Sequence, residues 1–214
     1  MRHLALFADL TEDDFHRFHF HIDDLEFMAG TSIYTQADPG KAIYTVRVGL
    51  VQLIQHLSTG QTRIVRLLRS GDVLGLEATL GHGYQHSAIA MRNTLLCRIP
   101  AETIQKLASE TPRLCQQLMR FWHRSVTQAD DWLTKLSTGS TRIRMARLFL
   151  YLQEDDASPV CQFFGREEVA SIIGVTTETA SRTVAEFKRD GVITLLHANR
   201  FRCDVARLKE IALN

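Results

Sequence analysis

Four polar residues are spaced so that one helix could present them to a nucleic acid: Thr177, Glu178, Ser181 and Arg182. Residues three and four positions apart share a helix face, so their hydrogen-bonding groups lie on one surface. They fall in the first turns of the second helix expected within residues 166–193. In a helix-turn-helix motif those turns enter the DNA major groove. The spacing alone also fits any two-helix corner, and it is the polar exposed face that favours DNA.

The surrounding residues predict the two helices and the turn that this face requires. Gly174 permits the positive φ angle of a tight turn between them. Either Thr176 or Thr177 can cap the second helix. The buried face of the first helix consists of Val169, Ala170, Ile172 and Ile173, and that of the second of Ala180, Val184 and Phe187.

Composition leaves the DNA interpretation open without adding to it. The chain has 214 residues, of which 45% are hydrophobic, and a net charge of +1. This length allows one large domain or two small ones. Residues 139–214 contain 11 Lys and Arg against 10 Asp and Glu. A DNA-binding surface in this region must therefore segregate its charges by face.

Cysteine usage and the N-terminus favour a soluble, cytoplasmic protein. The four cysteines (Cys97, Cys115, Cys161 and Cys203) are scattered without a CxxC pair, which argues against a disulfide framework or a zinc knuckle. The first apolar run is too short, and too soon followed by acidic residues, for a signal peptide. Nothing approaches the apolar length of a membrane span.

Residues 10–22 predict a short helix that Thr11 caps and that is rich in histidine. His16 and His19 could share a helix face and bind a metal ion or haem, but His21 cannot join both. A polar helix flank is the simpler interpretation, and we predict no metal site.

Residues 25–100 change to short β-branched runs separated by turns. Glycines recur about every ten residues, at Gly30, Gly40, Gly49, Gly60 and Gly71, which is the turn spacing of an all-β sandwich or barrel. Residues 58–61 predict a hairpin tip. The strands of this antiparallel barrel are expected at 32–34, 42–46, 51–54, 63–68, 73–76, 88–91 and 95–99.

A long helix follows the barrel, with a length of about 25 residues and roughly 37 Å. Its apolar stripe is longer than one small barrel can cover, so we expect it to pack against a second copy in a homodimer. Burial of the whole stripe within its own chain is the alternative. The stripe consists of Leu114, Leu118, Phe121, Ser125, Ala129, Trp132 and Leu136.

Residues 138–141 predict a hinge, and a helix over 142–151 begins a second domain. Segments 192–195 and 201–204 flank a turn at 197–200 and predict a two-stranded wing, after which 205–213 form a last helix. The expected organisation is a barrel over 1–110, a dimerisation helix over 111–138 and a DNA-binding domain over 139–214.

Taken in order, these segments resemble the Crp/Fnr superfamily of bacterial transcription regulators over nearly the whole chain. The barrel has the superfamily's spacing in GTSIYTQADPGKAIYTVRVGLVQL and LLRSGDVLG. Similarity to the Fnr branch lies in GDVLGLEATLGHGYQHS, LLCRIPAETI, RLCQQLMR and ETASR. The resemblance implies an α+β fold with a jelly-roll (double-stranded β-helix) sensor barrel, a long dimerisation helix and a winged helix-turn-helix. It also implies double-stranded DNA, a second copy and RNA polymerase as partners.

The resemblance assigns base contacts to Glu178, Ser181 and Arg182. Arg182 can donate two hydrogen bonds to guanine O6 and N7, Glu178 can accept from cytosine N4, and Ser181 suits a base edge. Thr177 stands where relatives that respond to cyclic AMP have arginine, so the half-site should resemble TTGAT more than TGTGA. Candidates for phosphate contact are Arg166, Thr176, Thr179, Lys188 and Arg200.

The chain departs from its relatives in the residues that sense a signal. Fnr holds an iron–sulfur cluster on four cysteines, but here no cysteine precedes Cys97, so we expect no cluster. Cyclic AMP receptors hold the phosphate with an Arg-Ser pair, for which this chain has His86 and Ser87. A histidine is neutral for much of its time at pH 7. We therefore expect no cyclic nucleotide to bind.

Three modes of control remain open. The protein could act without a ligand, which we favour, or it could sense oxidation through Cys161 or Cys203. It could also bind haem or another small molecule between barrel and long helix, with His82, His86 and His123 of interest. The residues expected around such an effector pocket are Leu74, Gly75, Glu77, His86, Ser87, Trp122 and Val126.

A dimeric, sequence-specific transcription regulator is thus the leading hypothesis. The alternative is a haem- or small-molecule-binding sensor whose ligand controls DNA binding or protein contacts. An enzyme is the weakest interpretation, because the sequence contains no Gly-x-Ser-x-Gly, phosphate-binding loop, HExxH or paired-carboxylate motif.

Overall fold

The computed structural model of this chain describes residues 6, 23–58, 62–153, 159–197 and 199–213. It divides into two compact units, residues 1–129 and 130–214, so the last turns of the long helix belong to the second unit. The predicted helix at 10–22 with His16, His19 and His21 lies outside the described residues. So do Gly60, with the rest of the hairpin tip at 59–61, and Ala198 in the turn of the wing.

Two four-stranded antiparallel sheets form the first unit, in the orders β1-β8-β3-β6 and β2-β7-β4-β5. Strands that are distant in sequence are neighbours in each sheet, which confirms the jelly-roll barrel. A 3-10 turn, Leu76–Leu80, follows β6 and shortens the strand expected at 73–76. The strands are β1 Asp23–Phe27, β2 Ser32–Tyr34, β3 Ala42–Val48, β4 Leu50–His56, β5 Thr62–Arg69, β6 Val73–Leu74, β7 Ser87–Ala90 and β8 Thr94–Pro100.

Helices α1 (Ala101–Glu110) and α2 (Pro112–Asp131) complete the first unit, and a π-helical turn, Trp132–Leu136, continues the long helix into the second. Leu114, Leu118 and Phe121 belong to the same buried cluster as the barrel strands. Our expectation that these residues meet a second copy was wrong, because the barrel of their own chain covers them.

The remaining residues of that expected dimer stripe also lie against their own chain or are only half-exposed. Trp132 and Leu136 are buried in the second unit, where the Trp132 ring meets Tyr151 edge-on at 6.5 Å. Ser125 and Ala129 are half-buried. Five of the seven residues, Leu114, Leu118, Phe121, Trp132 and Leu136, are thus buried in their own chain, whereas contact of the half-exposed Ser125 and Ala129 with a second copy stays a prediction.

The second unit is a winged helix-turn-helix. Its three-stranded antiparallel sheet has the order β10-β11-β9, so the predicted two-stranded wing gains a third strand from an earlier part of the chain. Its elements are α3 Thr141–Tyr151, β9 Val160–Gln162, α4 Arg166–Ile173, α5 Thr177–Arg189, β10 Ile193–His197, β11 Arg200–Cys203 and α6 Val205–Leu213.

Four phenylalanines fill the centre of this unit. Phe149 stacks on Phe163 with ring centroids 4.2 Å apart and meets Phe201 edge-on at 5.9 Å. Phe187 of α5 lies 6.0 Å from Phe149. Aromatic pairs at these separations stabilise beyond the area they bury, so this cluster fixes α5 against the sheet.

No helix in the described part of the chain combines the length and the apolar composition that crossing a membrane requires.

Candidate nucleic-acid interface

Helix α4, which leads into the turn before α5, is fixed at both of its ends. At the start of α4, the Gly165 N–H donates to Glu168 Oε2 at 2.9 Å. At its end, Gly174 has φ +66° and its N–H donates to the Ala170 carbonyl. The Arg144 guanidinium of α3 donates to the Ile173 carbonyl. A cation at a helix C-terminus satisfies a carbonyl that the helix itself leaves without a donor.

Thr176, rather than Thr177, caps α5. Its Oγ1 accepts a hydrogen bond from the Thr179 N–H at 3.2 Å and lies 2.9 Å from the Thr179 hydroxyl. The β-branched side chains at these positions therefore serve the helix start. Both hydroxyls take part in this cap, and their contact with phosphate stays a prediction.

Glu178 and Arg182 are exposed on the outer face of α5, one turn and about 6 Å apart along its axis. Ser181, beside them, is half-buried, and Thr177 is exposed at the first position of the helix. Within the described ranges, no hydrogen bond or ion pair engages Glu178 or Arg182. Their donors and acceptors are thus available to the edges of bases.

The three basic residues predicted to contact phosphate, Arg166, Lys188 and Arg200, differ in how exposed their charges are. Arg166 reaches across the motif, with Nη1 3.5 Å from the Ser181 carbonyl, so it helps to hold α5. Lys188 is exposed, and its Nζ lies 5.2 Å from the centroid of the Phe201 ring. Arg200, on β11, is half-buried. Lys188 is the member of this set whose charge is most open to solvent.

Arg189 is a candidate contact that motif spacing misses. It is exposed and lies seven residues, about two turns, after Arg182. Residues at that interval share a helix face, so helical periodicity could have identified it. Glu178, Arg182 and Arg189 form one outward row.

Three acidic groups near α5, Glu186, Asp190 and Asp204, are engaged by arginines or by a helix start. Arg142 Nη2 lies 2.8 Å from Asp190 Oδ2, and Arg142 Nη1 lies 3.9 Å from Glu186. The hydrogen bond from Arg142 holds the pKa of Asp190 below its usual range. Asp204 Oδ1 accepts from the Arg207 N–H at 3.1 Å, which caps α6. A balanced composition can in this way leave cations on the DNA-facing side.

The expected effector pocket corresponds to a small cleft of about 30 Å³ in the first unit. Four of the residues that we expected around it do line it: Leu74, Gly75, Glu77 and Trp122. Three do not, and the expectation for them was wrong. Val126 is 56% exposed. The Ser87 hydroxyl accepts from the Gln36 N–H at 2.9 Å and lies 3.1 Å from His56 Nε2.

His86, the third of these residues, is half-buried near the cleft, and burial lowers its pKa, as does the nearby Arg66. Arg66 itself lines the cleft, with Nη1 3.5 Å from the Ser125 carbonyl. Local sequence patterns do not identify Arg66, because its position depends on the pairing of β5 with β4. The cleft thus contains an arginine, but this is Arg66 rather than a residue at position 86, where cyclic AMP receptors have the arginine that holds the phosphate.

This cleft is much smaller than a typical ligand pocket. Ligand pockets typically have about 300–1,000 Å³, whereas this space suits a water molecule. Tyr34, which lines it, stacks on Tyr84 with ring centroids 3.8 Å apart and so occupies the barrel end. Glu77 Oε1 accepts from the Gln85 N–H at 3.1 Å.

Metal ligands are not grouped in the parts of the chain that the structure covers. His, Cys, Asp and Glu side chains there form no group of three suited to a metal ion. His82 and His123 are exposed. Burial raises the pKa of Cys97 to about 11, which favours the thiol over the thiolate that binds metals.

Comparison with known proteins agrees with both units. Residues 24–111 match the cyclic nucleotide-binding domain family, and residues 143–211 match the Crp-like helix-turn-helix domain family. The chain is 28% identical over 188 residues to the transcriptional regulatory protein btr of Bordetella pertussis, covering 85% of this chain and 78% of that protein. It is 27% identical over 175 residues to the fumarate and nitrate reduction regulatory protein of Salmonella typhimurium, covering 78% and 69%.

The fold of FixK2 from Bradyrhizobium japonicum superimposes with a TM-score of 0.80 at 21% identity, over 89% of this chain and 97% of that one. Two matched families in this order span most of the described residues, and the relatives share the same architecture. The chain belongs to the Crp/Fnr superfamily, whose members are transcription regulators rather than enzymes, and it has the DNA-binding helix-turn-helix of that family.

Proposed function

We propose that this regulator binds DNA as a homodimer and recognises a palindrome of TTGAT-like half-sites through Glu178, Ser181 and Arg182. The observation that carries the proposal is the exposed pair Glu178 and Arg182, which no described residue engages. Arginine pairs with guanine and glutamate with cytosine in the major groove. Thr177 offers no second guanine contact, which favours TTGAT over TGTGA.

An apolar row on α2, exposed except for the half-buried Trp122 that packs on the barrel, supports the homodimer. Cys115, Met119, Trp122 and Val126 follow at intervals of four, three and four residues, the spacing of a coiled-coil seam. Met119 is 65% and Val126 is 56% exposed. This row lies beside the buried residues of the same helix. A second copy packed on it would remove these side chains from water.

We further propose that DNA binding needs no iron–sulfur cluster, haem or cyclic nucleotide. The volume of the cleft, about 30 Å³, and the raised pKa of Cys97 support this. Bound to DNA, the dimer would act on transcription through RNA polymerase, the partner that family membership suggests.

The proposed DNA site is tested by selecting bound sequences from a random DNA pool. The protein used is reduced and free of added ligand. We expect enrichment of a palindrome whose half-sites are one helical turn apart. Sedimentation of the same preparation should give the mass of a dimer. Enrichment of TGTGA, binding only after cyclic AMP or haem is added, or a monomer bound to a single half-site would contradict the corresponding part of the proposal.

A further inference from the structure

Two cysteines meet inside the winged helix-turn-helix unit. Cys161 Sγ of β9 lies 3.5 Å from Cys203 Sγ of β11, and both side chains are buried thiols. Cys161 pairs directly with Phe201 in the sheet, and Cys203 is two residues further along β11. Side chains two residues apart share a sheet face. The sulfurs are therefore diagonal neighbours on the buried face of the sheet.

We propose that Cys161 and Cys203 are a dithiol site that forms a reversible intramolecular disulfide and thereby weakens DNA binding. The effect on DNA rests on the function proposed above, whereas formation of the disulfide does not.

The oxidant that suits this site is a hydroperoxide such as hydrogen peroxide, which is about as small as water. The Cys203 thiolate attacks the O–O bond, which breaks to give a sulfenic acid and, with one proton, water. The Cys161 thiolate then attacks the Cys203 sulfur, the S–O bond breaks, and the sulfenic hydroxyl takes up a second proton and leaves as a second water molecule. Two thiols and one peroxide thus give one disulfide and two waters.

Cys203 is the residue expected to react first. The hydrogen bond from Cys161 lowers the pKa of Cys203, which favours its thiolate. Its side chain is 4% exposed, whereas that of Cys161 is 0% exposed. It also ends β11 beside the exposed Asp204, where a strand end opens more readily than its centre.

Closing the bond requires a movement within the sheet. The two sulfurs must approach from 3.5 Å to about 2.05 Å. Diagonal sheet neighbours are about 7–8 Å apart at Cα, wider than the usual disulfide separation of about 5.5–6 Å. A bond formed against that separation is strained, and strained disulfides are readily reduced. Reversibility follows from the same geometry.

The movement would reach the recognition helix through the aromatic cluster. Phe201 of β11, which pairs with Cys161 of β9, meets Phe163 edge-on at 5.8 Å and Phe149 at 5.9 Å. Phe149 in turn lies 6.0 Å from Phe187 of α5. Because a close-packed interior transmits displacements, drawing β9 and β11 together shifts the support of α5.

The test compares Cys115→Ala, which removes the exposed thiol, with Cys115→Ala/Cys161→Ala. Each full-length protein is reduced, treated with hydrogen peroxide, and analysed by intact mass and peptide mapping. We expect the first variant to lose two hydrogens and to yield a linked Cys161–Cys203 peptide. Its affinity for the selected palindrome should fall by about 5- to 150-fold and return after a phosphine reductant. The second variant should show neither change.

Peroxide treatment that leaves the mass unchanged, or that links Cys97 instead, would overturn the site. A mapped Cys161–Cys203 bond with unchanged DNA affinity would overturn its regulatory effect. If the reduced protein binds no DNA, the function proposed above fails by itself. In that case, mass analysis still shows whether the disulfide forms. Hydrogen exchange of residues 177–189 before and after oxidation still shows whether it moves α5.

Discussion

Arg142 Nη2 lies 2.8 Å from Asp190 Oδ2, which joins the first turn of α3 to the residue that follows the recognition helix. The same guanidinium lies 5.0 Å from the centroid of the Phe187 ring. Arg207 Nη1 donates to the Asp190 carbonyl at 2.6 Å. The C-terminal end of α5 is thus held by two arginines, while its N-terminal turns remain open for DNA.

Asp190→Asn should make the stability of the second unit less dependent on pH. The hydrogen bond from Arg142 places the folded pKa of Asp190 below its unfolded value of about 3.9. The charge therefore stabilises the fold fully above that unfolded value, and its contribution is lost as pH falls through the folded pKa. At pH 7 the wild-type protein should therefore have a larger free energy of unfolding than Asp190→Asn. This difference should shrink below about pH 4.

Urea unfolding at a series of pH values measures this difference. Trp132 lies in the second unit, so its fluorescence in a Trp122→Phe background reports on that unit. A difference between the two proteins that stays constant from pH 7 to pH 3 would show that the Asp190 charge is not its source.

Arg182→Ala should remove discrimination at the single guanine of the TTGAT half-site. Loss of a bidentate guanine contact costs about 1–3 kcal/mol, a factor of about 5–150. Because the Arg182 side chain is exposed and no described residue engages it, the melting temperature should not change. Fluorescence anisotropy with TTGAT and TTAAT palindromes, at fixed salt, gives the ratio of affinities.

Lys209→Ala is the control, because it removes an exposed cation from α6 of the same unit. It should keep the wild-type preference for guanine. If Arg182→Ala weakens binding to both palindromes equally, Arg182 contacts phosphate rather than the base.

Val126→Glu should convert the dimer to a monomer. Packing on the row Cys115, Met119, Trp122 and Val126 would bury the new carboxylate against its symmetry mate, and two buried like charges without partners cost several kcal/mol. The mass in sedimentation equilibrium should fall toward the single-chain value of 24.3 kDa. Gln116→Glu adds the same charge at an exposed position off the row and should remain a dimer. If the two variants have the same mass in solution, this row is not the dimer surface.

Local patterns in the sequence predict much of this fold. The β-branched runs and recurring glycines locate the strands from β2 to β8, and Gly174 with the threonine cap locates the recognition helix. Strand β1 escapes prediction because Asp23–Phe27 is short and acidic, and its order comes from pairing with β8, about 70 residues later. A strand partner this distant in the sequence cannot be recognised from the local residue pattern.

The site is predicted less completely, because segments distant in the sequence decide which helix face is buried and how the strands pair. Helix α2 has two apolar rows, one through Leu118 and one through Met119, and periodicity cannot tell which one the barrel covers. Arg66 enters the cleft because its strand pairs Leu53 with Arg66. Cys161 and Cys203 meet through the register of β9 on β11. None of these pairings is encoded within a few residues.

Gly174→Ala should destabilise the second unit more than Gly165→Ala, although both alter the ends of α4. Gly174 has φ +66°, a left-handed conformation in which a Cβ meets the following carbonyl, so alanine should cost about 1–2 kcal/mol. Gly165 has φ −59°, which alanine adopts freely, and an added Cβ would meet only the flexible Glu168 Oε2 at 3.3 Å. There alanine should cost less than at position 174, because it adopts this φ without strain and its restriction of the unfolded chain offsets part of the weaker N-cap. Urea unfolding followed by Trp132 fluorescence compares the two. Equal losses would mean that the left-handed turn is not what makes position 174 require glycine.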